Sequence, residues 1–229
     1  MLATIITASL LFIAFLLLLL VTLSVPIIKT IYLFILSANV SSLLESASGS
    51  VKFGVFGYCT TGVNIGGIFS DSVSSAECSK AHLGYTFDST VASALHLNSN
   101  ELVNVISKTT TAALVLHPIA CALTFMTFLL SLFMLHRGSN GTARLPSLIT
   151  LGFGILAALF TTIVFLIDVI LVAVVRNHVK NDTDNDVTLN WGNAVWMALG
   201  ATIALWLAMV GACGGVCGCG SRNRRREKY

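Results

Sequence analysis

The chain has 229 residues, a mean hydropathy of +0.88 and only 10% charged residues, against about 25% in a soluble globular domain. That composition excludes an ordinary cytosolic enzyme, a disordered regulator and a nucleic-acid binder, and marks an integral membrane protein. The net charge of +3 is small, and most of the basic excess sits in the last nine residues.

A hydrocarbon core of ~30 Å needs about 20 apolar residues in a helix. Four stretches nearly free of Asp, Glu, Lys and Arg meet that requirement. The first transmembrane helix is predicted over residues 1–28 and is dominated by 11–21. It has no basic leader, and its apolar run exceeds the roughly 7–15 residues of a signal-peptide core, so it reads as a retained helix. Residues 29–108 form an extracellular domain. The second span covers 109–135 and is interrupted only by His117 and Pro118. A cytoplasmic loop, 136–146, leads to the third span over 147–175, which contains one acid, Asp168. An extracellular loop, 176–189, precedes the fourth span over 190–216, and residues 217–229 make a short basic cytoplasmic tail.

Orientation follows from the excess of Lys and Arg on the cytoplasmic side. The 136–146 loop carries Arg137 and Arg144 and no acid. The tail carries Arg222, Arg224, Arg225, Arg226 and Lys228 against Glu227. The 176–189 loop sets Asp182, Asp184 and Asp186 against Arg176 and Lys180. Both termini are therefore predicted to be cytoplasmic. The sequons at Asn39 and Asn181 then fall outside, where they are glycosylation candidates, and the sequon at Asn140 falls inside and stays unused.

Within the outer domain, Val51, Phe53, Val55 and Gly57 alternate with Lys52, Gly54, Phe56 and Tyr58. Aromatic and β-branched content with interspersed glycines favours short strands and bends. Further on, Leu102, Val105, Ile106 and Thr109 share a face at helical spacing, with Ser99 or Asn100 as the cap. A small sheet is expected, then a helix running into the second span. Cys59 and Cys78 lie in this one outer segment, which leaves a single intrachain pairing. Such a disulfide persists on the oxidising side and contributes about 2–4 kcal/mol. The plainer alternative is two free thiols.

Four spans and a long first outer loop with Gly54-x-x-Gly57-x-Cys59 and a second cysteine resemble the claudin-like architecture. GVFGYC at 54–59, VLHPIA at 115–120 and FLIDVILVAVV at 165–175 together resemble the PalI family of fungal pH-response regulators, relatives of fungal eisosome membrane proteins. The resemblance runs over nearly the whole chain. It implies a plasma-membrane protein of ambient-pH signalling that helps a seven-span pH sensor reach or function at the plasma membrane, the sensor signalling inward through an arrestin-like partner. Some family members carry a long cytoplasmic tail, whereas this chain ends about a dozen residues after Cys217.

Asp168 is the one charged residue deep in a span, where an acid costs about 2.5–3.5 kcal/mol on insertion scales. It is read either as a proton-responsive or partner-binding carboxylate, or as a structural group bonded to hydroxyls such as those of Thr124 or Thr127. Histidine is the side chain whose ordinary range of titration is physiological, so His117 is read either as a pH-responsive group or as one that satisfies a backbone group freed by Pro118. Of the other histidines, His82, His96 and His178 are assigned outside and His136 inside. Cys213, Cys217 and Cys219 beside the basic tail are palmitoylation candidates, and the basic cluster attracts anionic lipid at ~1 kcal/mol per charge. Alternatively they are unmodified thiols and a topology signal. Gly200, Ala204, Ala208 and Ala212 stand at four-residue intervals, a spacing that lets helices pack closely within the bundle or against a partner helix. No nucleophile–histidine–acid pattern, phosphate loop or dinucleotide fingerprint is present, so the chain reads as a non-enzyme without cofactor or metal.

The sequence therefore predicts a mainly α membrane protein: a four-helix transmembrane bundle with a small extracellular β-containing domain. Its function reads as that of a plasma-membrane accessory to a seven-span pH sensor. The alternative is a claudin-like organiser of plasma-membrane domains, acting by self-association as a homo-oligomer and by contact with membrane lipid, and no nucleic-acid partner is expected.

Overall fold

The structure of the protein, a computed structural model, describes residues 2–41, 45–67, 70–73, 78–80, 100–137, 144–182 and 187–222. Its framework is four long helices: α1 (Leu2–Thr22), α2 (Asn100–Arg137), α3 (Arg144–Asp182) and α4 (Asn193–Arg222). Each contains a window long and apolar enough to cross a membrane, namely Ile5–Thr22, Val115–Met134, Ile149–Asn177 and Asn193–Cys213. The chain is thus a multi-pass membrane protein with four membrane-spanning helices and a small antiparallel sheet.

The sheet has five strands, β1 (Phe34–Ser41), β2 (Glu45–Phe53), β3 (Tyr58–Gly67), β4 (Ser70–Val73) and β5 (Val187–Trp191), in the order β4-β3-β2-β1-β5. Every pairing is antiparallel. The first four strands follow one another along the chain, as short connections favour. The fifth arrives from the far side of α2 and α3 and pairs with β1, Leu189 opposite Leu36 and Trp191 opposite Phe34.

The residues fall into two compact units. One comprises residues 1–19, 118–163 and 197–229; the other comprises 20–117 and 164–196.

The first unit is built from helix alone among its described residues. Its core joins Leu11, Ala14 and Leu18 of α1, Cys121 of α2, Ala158 of α3, and Ala201, Ala204, Leu205, Ala208 and Met209 of α4. Between helices in lipid, burial of apolar surface supplies no driving force, so association depends on close backbone approach and van der Waals packing. Gly154 shows how close that approach is: a β-carbon there would overlap the sulfur of Met209. Phe15 and Phe125 extend the packing, their ring centroids 5.0 Å apart. Several buried hydroxyls in this unit bond on their own helices, whereas Thr150 donates to the Met134 sulfur of α2 at 3.2 Å. Thr124 donates to the carbonyl of Ala120, Thr161 to Ala157 and Thr202 to Ala198, at 2.7–2.8 Å, the local bond that a threonine in apolar surroundings makes most cheaply. Trp206 Nε1 donates to Thr162 Oγ1 at 3.2 Å, a polar tie between α4 and α3.

The second unit holds the sheet. Phe34 and Leu36 of β1 and Leu189 of β5 are buried at alternate positions, the period-two pattern of a strand with one covered face. Phe34 stacks on Phe53 across the strands with centroids 4.7 Å apart, and Tyr58 meets Phe53 at 6.1 Å. Cross-strand aromatic pairs of this kind are the unit of sheet stabilisation. On the same sheet, Lys52 Nζ lies 5.2 Å from the centre of the Tyr32 ring, a cation–π contact.

The third helix starts at Arg144 rather than 147 and the fourth runs to Arg222 rather than 216, and three further boundaries differ from the sequence reading in the second unit. The first helix ends at Thr22, and residues 23–30 form turns through Pro26 rather than more helix. Of the segment 176–189, expected as a loop, residues 176–182 are the last turns of α3 and 187–189 open β5. The fourth helix begins at Asn193 rather than 190. The reason is common to all three. Freedom from charge measures compatibility with lipid, whereas helix ends are set by where backbone groups find other partners. Gly192 N–H donates to the Leu33 carbonyl at 2.8 Å and Ala194 N–H to the Tyr32 carbonyl at 3.1 Å. Those bonds belong to the sheet junction and fix where α4 starts.

Candidate functional site

The candidate site lies in the second unit and is made by two helices. α2 carries His117 immediately before Pro118, and α3 carries Asp168 near the middle of FLIDVILVAVV. Their side chains meet: His117 Nε2 stands 3.2 Å from Asp168 Oδ2, with each side chain 1% exposed. With a proton on Nε2, the imidazole donates to the carboxylate. Thr124 and Thr127, the hydroxyls considered for Asp168 from sequence, donate instead to the Ala120 and Leu123 carbonyls of their own helix. Asp168 is thus partnered by His117, fifty-one positions away in sequence.

Energetics explain the pairing. A lone carboxylate in an apolar interior is strongly disfavoured, and a buried ion pair is tolerated only when geometry and hydrogen bonding compensate for lost hydration. The pair is an acid and a base in one buried contact. Among the described residues no three of His, Cys, Asp and Glu cluster in a way that could hold a metal ion. No buried side-chain oxygen or nitrogen among them lacks a hydrogen-bond partner.

The GVFGYC motif has a different task, in the same unit. Gly54 N–H donates to the Gly57 carbonyl at 2.9 Å, closing a tight bend between β2 and β3. Val55 N–H donates to the buried Ser24 hydroxyl at 2.9 Å. A β-carbon on Gly54 would overlap the backbone of Val25, so glycine here permits direct backbone approach. Cys59, at the start of β3, is disulfide-bonded to Cys78. The adjacent Ser79 completes the clasp: its hydroxyl accepts from Tyr58 N–H at 3.1 Å and its own N–H donates to the Tyr58 carbonyl at 2.9 Å. The motif, the 23–26 turn and the second cysteine thus form one structural knot.

Asn193 forms a second knot. Its Oδ1 accepts from Tyr32 N–H at 3.1 Å and its Nδ2 donates to the Thr30 carbonyl at 2.9 Å. Sequence reading did not single out Ser24, Ser79 or Asn193, since each acts through a partner distant in sequence. Asn193 did carry a local signal, as Asn is a favoured residue at a helix start.

The remaining predicted residues are placed as follows. Ala204 and Ala208 are buried in the helical core, while Gly200 and Ala212 are partly exposed. A β-carbon on Gly200 would make ordinary contact with Leu17 at 3.5 Å, so space alone does not demand glycine there. Cys213 is an exposed free thiol. Cys217 and Cys219 continue α4, Asn39 lies in β1 and Asn181 in the last turns of α3; the side chains of these four lie outside the described residues, as do His82, His96, His136, His178 and Asn140.

Comparison with known proteins places this architecture. The SUR7/PalI family model matches residues 3–208. The chain is similar to the pH-response regulator protein palI/prr-5 of Neurospora crassa, 34% identical over 138 residues, covering 60% of this chain and 16% of that protein. It is similar also to two proteins named pH-response regulator protein palI/RIM9. The one from Emericella nidulans is 29% identical over 205 residues, covering 89% of this chain and 30% of the relative. The one from Pyricularia oryzae is 31% identical over 208 residues, covering 90% and 23%. The chain therefore spans less than a third of the length of these relatives, whose names are those of regulators rather than enzymes. With four membrane-spanning helices, a disulfide-linked antiparallel sheet and a family match over almost all of its length, the chain belongs to the SUR7/PalI family.

Proposed function

We propose that this chain is a non-enzymatic plasma-membrane accessory of ambient-pH signalling that assists a seven-span pH sensor. The observation that carries the reading is the likeness, over most of this chain, to proteins named pH-response regulators. The buried His117–Asp168 pair supports it: in a chain so poor in charge, an intramembrane acid and base are expensive and are kept for a task. In this reading both termini face the cytoplasm and the sheet faces outside. The charge asymmetry of the loops and the Cys59–Cys78 disulfide support that orientation. Asn39 and Asn181 then become glycan acceptors, and Cys213, Cys217 and Cys219 with the arginines behind them an inner-leaflet anchor.

A second reading is a claudin-like organiser of plasma-membrane domains, of the eisosome type. It draws on the family description, which joins SUR7 with PalI.

Deleting the gene and scoring two things together tests the proposal: growth at alkaline pH, and residence of the seven-span sensor at the cell surface. Loss of both, restored by this chain, is the expected result. Normal growth with the sensor still at the surface overturns the accessory reading and moves the organiser to first place.

A further inference from the structure

We propose that Lys29, Ile27 and Trp196 form a headgroup site for one anionic phospholipid, at the junction where α1 has ended and α4 begins.

The junction marks a boundary between hydrocarbon and water. The membrane-compatible window of α1 ends at Thr22 and that of α4 begins at Asn193. Between α1 and β1 the chain forms turns and meets the start of α4. Asn193 Nδ2 donates to the Thr30 carbonyl at 2.9 Å, and Tyr32 N–H donates to Asn193 Oδ1 at 3.1 Å. Lys29 adjoins Thr30 in the chain. Trp196 stands three residues past Asn193, on the same side of α4 and about 4.5 Å deeper along its axis. The Asn193 bonds therefore bring Lys29 and Trp196 to one place. Backbone donors there are already in use, Gly192 N–H by the Leu33 carbonyl and Ala194 N–H by the Tyr32 carbonyl, so recognition falls to the side chains.

Charge selects the occupant. Lys29 is exposed. It is the only Asp, Glu, Lys or Arg in residues 1–44, and residues 187–221 contain none. Its ammonium has no ion-pair partner among the described residues. Among the described side chains of this unit the only acid is Asp168, which is buried against His117. The nearby Lys52 is engaged over the Tyr32 ring, which leaves Lys29 as the cation that seeks an anion. Apolar surface is open beside it: Ile27 is 56% exposed and Trp196 64%. A lysine whose stem lies along hydrocarbon while its ammonium reaches the phosphate, next to an indole at headgroup depth, suits a phospholipid. An anionic headgroup supplies the charge that the junction lacks. A zwitterionic headgroup brings its own cation, which competes with Lys29 for the phosphate.

The test reads the lipid beside Trp196 directly. The full chain carrying Trp191→Phe and Trp206→Phe keeps Trp196 as its one tryptophan. It is reconstituted in phosphatidylcholine vesicles with increasing brominated phosphatidylglycerol, which quenches indole fluorescence, and in a parallel series with brominated phosphatidylcholine. The two curves give the relative affinity of the lipids at that position. The expected preference for phosphatidylglycerol is about fivefold, the effect of one lysine near a headgroup. Lys29→Gln brings it close to equality, while Arg176→Gln, which removes an exposed cation at the end of α3, leaves it unchanged. Equal quenching by both lipids overturns the proposal. So does an equal loss in Arg176→Gln, which marks diffuse surface attraction, and so does removal of the preference by inorganic phosphate, which marks a site for the free anion. Quenching by neither lipid also overturns it, because a second copy or a partner protein then covers Trp196. If the chain with a single tryptophan does not fold, mass spectrometry of the wild-type protein released from mixed-lipid nanodiscs decides. Retention of one phosphatidylglycerol, lost in Lys29→Gln, sustains the proposal, and retention unaffected by that change overturns it.

Discussion

The helical core around Ala158, Ala201, Ala204 and Ala208 and the sheet around Phe34 and Phe53 achieve burial by opposite means. The first brings helices together by removing side-chain bulk, and its buried Thr161 and Thr202 hydroxyls turn back onto their own helices. The second cannot do so, because strands and turns expose backbone groups that must be paired. It is held by hydrogen bonds from Ser24, Ser79 and Asn193, by a disulfide and by stacked rings. The contrast teaches where each region is vulnerable: the first to added volume, the second to loss of a particular partner. The His117–Asp168 pair belongs to the second region and shares its dependence on partners.

The largest loss is expected from the disulfide. Replacing Cys59 and Cys78 together by Ser is expected to cost about 2–5 kcal/mol, read as a lower unfolding temperature and altered mobility on non-reducing gels. If stability does not change, the sheet does not need the covalent link. Gly154→Leu attacks the other region: overpacking against Met209 is expected to cost about 1–3 kcal/mol. Adding Met209→Ala to that variant should recover part of the loss, since the two sites share one volume. A Gly154→Leu protein as stable as wild type would contradict the close approach of α3 and α4. Asn193→Ala removes two bonds that hold the start of α4 to residues 30–32, at partly solvated positions, and is expected to cost about 1 kcal/mol; faster amide exchange at Tyr32 is its local signature. The smallest effect is that of Trp206→Phe, which deletes the bond to Thr162 and is expected to cost about 0.6 kcal/mol, the average for a polar contact between membrane helices.

The parts legible in the sequence are those written in local patterns. Four spans follow from length and charge, the disulfide from two cysteines in one segment, and the strands near Val51 from alternation. The helix from Asn100 runs into the second span as its spacing implies. Less legible were features that depend on pairing at a distance. The 187–191 segment, VTLNW, is five residues long and followed directly by an apolar helix, so its strand character shows only against β1. Asp168 and His117 each stood out as polar residues in apolar runs. Their contact was not legible, because no periodicity relates positions fifty-one residues apart on two helices. The hydroxyls at Thr124 and Thr127 looked like equally good partners by depth alone. Their own-helix carbonyls are nearer competitors, and those bonds formed instead.

In the proposed function this chain serves a seven-span sensor rather than its own kind. Tagging it in its host, solubilising the plasma membrane in mild detergent and weighing the captured complex tests that most directly. The expected result is a specific complex containing the seven-span protein, diminished in the Cys59→Ser/Cys78→Ser protein. Recovery of assemblies of this chain alone, with the sensor absent and migrating unchanged, would contradict it.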